Sequence, residues 1–198
     1  AYIEAHIEQG PLLENAGKTI GVVTGIQGLR WFNVEVTGKT DHAGTTPLAL
    51  RKDAVRDSIA IINALTELTH DPQDVTRFTV GRMLVTPNSP NSVASHVLFS
   101  VDIRHPDPKT IQRLGEAVEP LARKAVRHCE VKVTPTLHDD PCVFDANVAD
   151  VVENAAQTLT LPYMRISSGA SHDAMYMARV CPTGMIFVPC EKGVSHNE

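Results

Sequence analysis

The sequence has no run of lysine and arginine and no basic stripe with interleaved aromatics. Its 18 basic residues stand against 23 acidic ones, for a formal charge of -5, and aromatics make up only 5% of it. Nucleic acid, which is held chiefly by neutralising phosphates, is therefore not an expected partner. No apolar run approaches the ~20 residues of a membrane span, so no membrane partner is expected either. Cysteines are few: Cys129, Cys142, Cys181 and Cys190, irregularly spaced and without a CxxC pair. That excludes a zinc ribbon and a disulfide framework. It reads as reduced thiols in a cytoplasmic protein, with Cys129 and Cys181 in buried segments. The first residues do not read as a secretory leader. There is no repeat, no low-complexity tract and no HExxH metal signature. What is there is ordinary globular material. The chain is 198 residues long and 42% hydrophobic, enough for one large core or two small ones.

Periodicity divides the chain. Phe32, Val34 and Val36 alternate with Asn33, Glu35 and Thr37, which predicts a strand over 31–37. Val55, Ile59, Ile62, Leu65 and Leu68 then fall at helical spacing until "DPQD" at 71–74 stops the helix. Phe78, Val80 and Leu84 suggest a second strand. Val97, Phe99, Val101 and Ile103 give a third, ended by "HPDP" at 105–108. Ile111, Leu114, Val118, Leu121 and Ala125 mark a second helix, with Pro120 inside it, and Val131 and Val133 a closing strand. The order β-α-β-β-α-β is the ferredoxin-like split arrangement: an antiparallel sheet with both helices on one face. The other face is left for something else, often a partner.

The ends do not belong to this module. Residues 1–15 form a separate short segment. Val148, Val152, Ala155 and Leu159 give a further helix, "YMRISSG" a short strand, 170–179 a helix and "TGMIFVP" at 183–189 a buried strand. Such alternation belongs to a parallel α/β sheet. The expected fold is thus α/β: a ferredoxin-like module over 23–138, inserted between pieces of a second α/β domain at 1–22 and 139–198. Both outer pieces look incomplete.

Chemistry-bearing residues gather in a few stretches: "AHIEQG" (5–10), "DHAGTTP" (41–47), "PNSPNSV" (87–93), "DIRHP" (102–106), "SSGASHDA" (167–174) and "KGVSHNE" (192–198). A connecting turn needs Gly44 and Pro47 for its geometry, but it does not need His42. "SGASHDA" puts His172 and Asp173 where a strand passes into a helix, and His196 follows the strand over 183–189. Both lie at strand carboxyl ends, where ligands bind in α/β sheets. His70, His96, His105, His128 and His138 read as ordinary surface or core histidines.

"HIEQGPLLE", "HAGTTP", "R-x-DA", "DIRHPD", "GMIFVPC" and "GVSHNE" occur in one order. In this the chain resembles the metal-dependent amidohydrolases that cleave N-carbamoyl-L-amino acids, with their relatives allantoate amidohydrolase and beta-ureidopropionase. These are a branch of the two-metal aminoacylase and carboxypeptidase-like superfamily. The resemblance implies the inserted module is a dimerisation, or lid, domain and the outer pieces belong to a metallohydrolase catalytic domain. It implies two divalent ions per site, zinc or manganese with cobalt as a further candidate. His6 would be a ligand of one and His196 of the other. Gln9, Asn91 and Arg104 would contact the substrate, Arg104 through its carboxylate. His42 would be a catalytic and substrate-binding histidine, carried into the active site of a homodimer partner to polarise the scissile carbonyl. His172 would lie at the substrate end of the pocket.

Ser171 stands where the family has glycine. The family also takes its first metal-binding histidine, its bridging aspartate, its catalytic glutamate and a further acidic ligand from the segment preceding "HIEQG". On this reading the chain is a fragment, inactive alone, of a hydrolase acting on the linear amide C–N bond of a small ureido carboxylate. Allantoate is the rival substrate. A reading of another class is a non-catalytic α/β module that dimerises or binds a small ligand.

Overall fold

The computed structural model describes residues 1–195. In chain order they form β1 (Tyr2–Ile7), the single turn α1 (Leu12–Asn15), β2 (Ile20–Ile26), β3 (Gly28–Thr37), α2 (Ala54–Thr69), β4 (Arg77–Thr79), β5 (Met83–Thr86) and β6 (His96–His105). α3 (Pro108–Ala125), β7 (Glu130–Asp139), β8 (Cys142–Val143), α4 (Ala146–Thr158), β9 (Tyr163–Ser168), α5 (Ala174–Met177) and β10 (Thr183–Val188) follow. Two compact units result. One is Gly28–Asp140; the other joins Ala1–Gln27 to the chain from Pro141 onward. Among the described residues no helix is long and apolar enough to cross a membrane.

The unit from Gly28 to Asp140 is an antiparallel sheet in the order β4/β5–β6–β3–β7, since β4 and β5 both pair with β6. The second strand of the β-α-β-β-α-β order is thus broken into two short pieces along one partner. Phe32, Val34 and Val36 of β3 and Val97, Phe99, Val101 and Ile103 of β6 turn to one side. They meet Ile61 and Leu65 of α2 and Ile111, Leu114 and Val118 of α3 in the core. Both helices begin on a side-chain cap, the first stabilising contact of a helix. Asp53 accepts from the amides of Val55 and Arg56, and Asp107 from Thr110. The alternate residues, Trp31, Asn33, Glu35, Ser100, Asp102 and Arg104, lie on the face away from the helices.

The other unit corrects the expectation of a parallel sheet, because its sheet is mixed. β1 runs parallel to β10 and β2 parallel to β9, but β10 and β2 are antiparallel, as are β2 and the two-residue β8. β2 has no counterpart among the expected strands. Gly21 and Gly25 hide it, since glycine inside a strand usually argues against one. Here both are required by close packing. A Cβ at Gly21 would lie 2.9 Å from Phe187 Cβ, and one at Gly25 only 2.4 Å from the Cys142 carbonyl. The expected helix over 170–179 is also shorter, with only Ala174–Met177 as α-helix. All four cysteines are unpaired and half-buried.

Candidate active site

β1 and β10 end side by side. His6 is registered with Phe187, and the Glu8 amide donates to the Val188 carbonyl at 2.9 Å. The loops that leave these ends lie on one another. A Cβ on Gly193 would come within 2.8 Å of the Gly10 backbone, and the Lys192 amide donates to Glu14 Oε2 at 2.7 Å. So the loop running toward His196 starts beside "HIEQG". His196 itself lies outside the described residues.

His6 is half-buried on β1. Its Nδ1 lies 2.8 Å from its neighbour's carbonyl, Ile7 O. A carbonyl can only accept, so Nδ1 carries the proton and Nε2 the lone pair. That is the arrangement of a metal-binding imidazole whose second nitrogen is tied to the protein. The donor fits a divalent ion, but one histidine is not a site. Among the described residues no three His, Cys, Asp or Glu side chains converge as a metal would require.

Next to His6 stands His172, with ring centroids 4.6 Å apart and planes at 64°. It is buried against Phe187. Its Nε2 lies 2.9 Å from Ser168 Oγ, and its Nδ1 is 3.8 Å from Glu4 Oε1. Burial, and after it the neighbouring His6, holds the His172 imidazole below its usual range; Glu4 and Asp173 act the other way. Glu4 also accepts from the Ala174 amide at 2.7 Å, so it fixes the turn that carries His172. Sequence reading passed over Glu4. The signal was its spacing, two residues before His6 and hence on the same strand face. Gln9 follows with a backbone φ of +59°, the left-handed region that costs a non-glycine residue free energy and gathers at functional sites. The preceding Glu8 is structural, taking the amides of Leu12 and Leu13, each at 2.8 Å. Ser171 is exposed.

The unit from Gly28 to Asp140 places its own candidates at two ends of one strand. His42 and Asn91 are brought together by a short bridge. Ala43 donates to the Asn91 carbonyl at 3.0 Å, and Val93 donates to Asp41 at 2.8 Å. The imidazole is exposed. Its Nδ1 accepts from the Gly44 amide at 3.0 Å and from Thr45 at 3.2 Å. An accepting Nδ1 leaves the proton on Nε2, so the outward nitrogen is a neutral hydrogen-bond donor. Beside the loop is a cleft of about 470 Å³ bordered by Ala43, Arg51, Ser89 and Ser92. Arg104 is not brought to this end. The loop carrying Asn91 precedes β6, which begins at His96, whereas Arg104 is near the strand's other end. At about 3.3 Å per residue, His96 to Arg104 alone covers roughly 26 Å. Arg104 is gripped there by Asp102, two residues earlier, a partner that sequence reading also passed over.

The sequence as a whole, residues 1–198, matches the model of peptidase family M20/M25/M40. It is 40% identical over 200 residues to an N-carbamoyl-L-amino-acid amidohydrolase of Rhizobium meliloti, covering 100% of this chain and 48% of that protein. It is 33% identical over 199 residues to an allantoate amidohydrolase of Escherichia coli K12, again covering 100% of this chain and 48% of the relative. The crystal structure of a hydantoinase/carbamoylase family amidase from Burkholderia multivorans superposes with a TM-score of 0.90 at 40% identity, over 99% of this chain and 48% of that one. The chain spans about half the length of the curated relatives it matches. With its full length inside the family model, the chain belongs to peptidase family M20/M25/M40.

Proposed function

We propose that this chain forms part of a metal-dependent hydrolase that cleaves the ureido C–N bond of N-carbamoyl-L-amino acids. It would act as a homodimer joined through the unit from Gly28 to Asp140. The relatives' names support the substrate class, with 40% identity to a carbamoyl-amino-acid hydrolase against 33% to an allantoate hydrolase. Allantoate stays the second reading, since both substrates offer a ureido group and a carboxylate.

The observation that carries the mechanism is the state of His42. Its Nδ1 is occupied by two backbone donors, so Nε2–H is aimed outward as a fixed donor. Water adds to the ureido carbonyl, the C–N bond to the amino-acid nitrogen breaks, and that nitrogen leaves protonated. Negative charge gathers on the carbonyl oxygen as the water adds, and a donor already in place stabilises it without reorganisation. Asn91, on the neighbouring loop bridged to that of His42, contacts the substrate with it. Arg104 receives the carboxylate, and Gln9 and His172 line the unit that carries His6. Two divalent ions, zinc or manganese, when bound would activate the water and polarise the carbonyl. His6 would hold one through Nε2, and His196 the other.

A small substrate cannot touch His42 and Arg104 of one chain, roughly 26 Å or more apart along the strand. The two residues therefore serve one substrate only when they come from two copies. In an active enzyme carrying this sequence, His42→Ala should lower turnover by about 10²–10³, the effect of losing one oxyanion donor, at normal metal content. Mixing that variant with an inactive His6→Ala variant and letting subunits exchange tests the pairing. In the mixed dimer one site regains both an intact His6 and a partner's His42, so activity returns. No recovery, with exchange verified by mass, would refute action across subunits.

A further inference from the structure

Arg51 lies half-buried between the histidine loop and α2, and its guanidinium is spent on that loop. Nη2 donates to the Ala43 carbonyl at 2.6 Å and Nε to the Thr46 carbonyl at 2.9 Å. The Ala43 carbonyl belongs to the same peptide unit as the Gly44 amide. That unit is planar and trans, so its C=O and N–H point in opposite directions. Fixing the oxygen from one side fixes the N–H on the other, and the Gly44 N–H is one of the two that close on His42 Nδ1. The connection is continuous: guanidinium, Ala43 carbonyl, Gly44 amide, imidazole. A cation on the oxygen also polarises the peptide and strengthens the N–H as a donor. The Thr46 carbonyl, held by Nε, ends the same turn, and Thr46 itself donates back to the His42 carbonyl at 3.2 Å.

We propose that Arg51 is the positioning residue of this site. By holding the Ala43–Gly44 peptide it keeps His42 in the Nε2–H tautomer with its donor fixed outward. This rests on the reading of His42 as the group that polarises the substrate carbonyl, and it adds the residue that sets His42's state. The charge alone is not sufficient. The two carbonyls are met by two nitrogens of a rigid fork, which an ammonium cannot reproduce.

The test needs no turnover. The 198-residue chain, labelled with ¹⁵N, is compared with Arg51→Gln and Arg51→Lys at a pH well above the imidazole range. Long-range proton–nitrogen spectra report the tautomer of His42, and amide exchange reports Gly44 and Thr45. In the parent chain His42 is held as Nε2–H and both amides are protected. In Arg51→Gln, protection at Gly44 and Thr45 should fall by about tenfold or more, as for loss of bonds to a charged group. The ring should then sample both tautomers. Val93, whose amide is held by Asp41, should keep its protection, which separates loss of the loop from loss of the fold. Arg51→Lys should fall between, restoring one bond of the two. If Arg51→Gln does not fold, Arg51→Lys carries the comparison alone. Unchanged tautomer and unchanged Gly44 and Thr45 exchange in a folded variant would overturn the proposal. The His42 reading itself fails differently, by full turnover in His42→Ala.

Discussion

Asp102 holds the side-on edge of Arg104: Nη2 donates to Oδ2 at 2.7 Å and Nε to Oδ1 at 3.0 Å. The two residues are alternate positions of β6 and share its face away from the helices. Asp102 thereby sets the plane of the guanidinium fork that the proposed function turns to the substrate carboxylate. In an active enzyme, Asp102→Asn should therefore raise the Michaelis constant for a carboxylate substrate roughly tenfold, with turnover changed much less. Arg104→Lys should do more harm than its retained charge suggests, because the bidentate fork is gone. Steady-state kinetics against an uncharged amide analogue decide the matter. If the analogue suffers equally, Arg104 is not the carboxylate anchor.

A second carboxylate does its work in the core. Asp57 is buried in α2, and its Oδ2 accepts from the amides of Arg127, His128 and Cys129 at 3.2, 3.1 and 2.9 Å. Burial acts to raise its pKa, but these three amides and the Cys129 thiol outweigh it, and the carboxyl stays below its usual range. A lowered folded pKa means that the ionised form favours the folded state. Its contribution is present above the unfolded value, about 4, and is lost as pH falls through the folded one. Asp57→Asn should cost about 2 kcal/mol at neutral pH. Denaturation of parent and variant across the acid range should show that difference shrinking as pH drops. A constant difference down to the acid limit would contradict the assignment.

Cys129 supplies a chemical probe of the same place. Burial, followed by hydrogen bonding to Asp57, pushes its thiol up to about 12. The thiolate is the reactive species, so at neutral pH this cysteine has almost none. Iodoacetamide, read by peptide mass, should label it only after denaturant is added. Rapid labelling in the folded chain would show that the packing around Asp57 is open.

The fourth expectation concerns the polypeptide as it stands. Expressed as these 198 residues with zinc or manganese added, it should turn over no N-carbamoyl-amino acid. His6 offers one ring nitrogen where a catalytic zinc ordinarily takes three protein ligands, and the chain spans 48% of the carbamoyl-amino-acid hydrolase it matches. Turnover by material free of host enzyme would overturn the assignment of roles.

Much of the fold could be read from periodicity, for physical reasons. Val34, Val36, Val97, Phe99 and Val101 alternate because one side of their sheet is buried under α2 and α3. β2 escaped because it is buried tightly enough to need Gly21 and Gly25, and glycine erases the alternation. The mixed direction of the outer sheet was not legible, since a strand's pattern records which side is buried and not which way its neighbour runs. Spacing put His172 at a strand's end but could not put it 4.6 Å from His6, 166 positions earlier in the chain. The roles of Arg51 and Asp102 were hidden for another reason: each acts through a second residue's backbone or side chain, and neither looks reactive in a motif.

The length of β6 has a consequence for the cell. If one end of that strand presents His42 and the other Arg104 to different substrates, no single copy is ever a working unit. Catalytic capacity then rises more steeply than protein level wherever subunits are scarce, and dilution by itself switches the enzyme off. Two copies damaged at different residues, one at His42 and the other at Arg104, would still pair to give one intact site, so that each failing covers for the other.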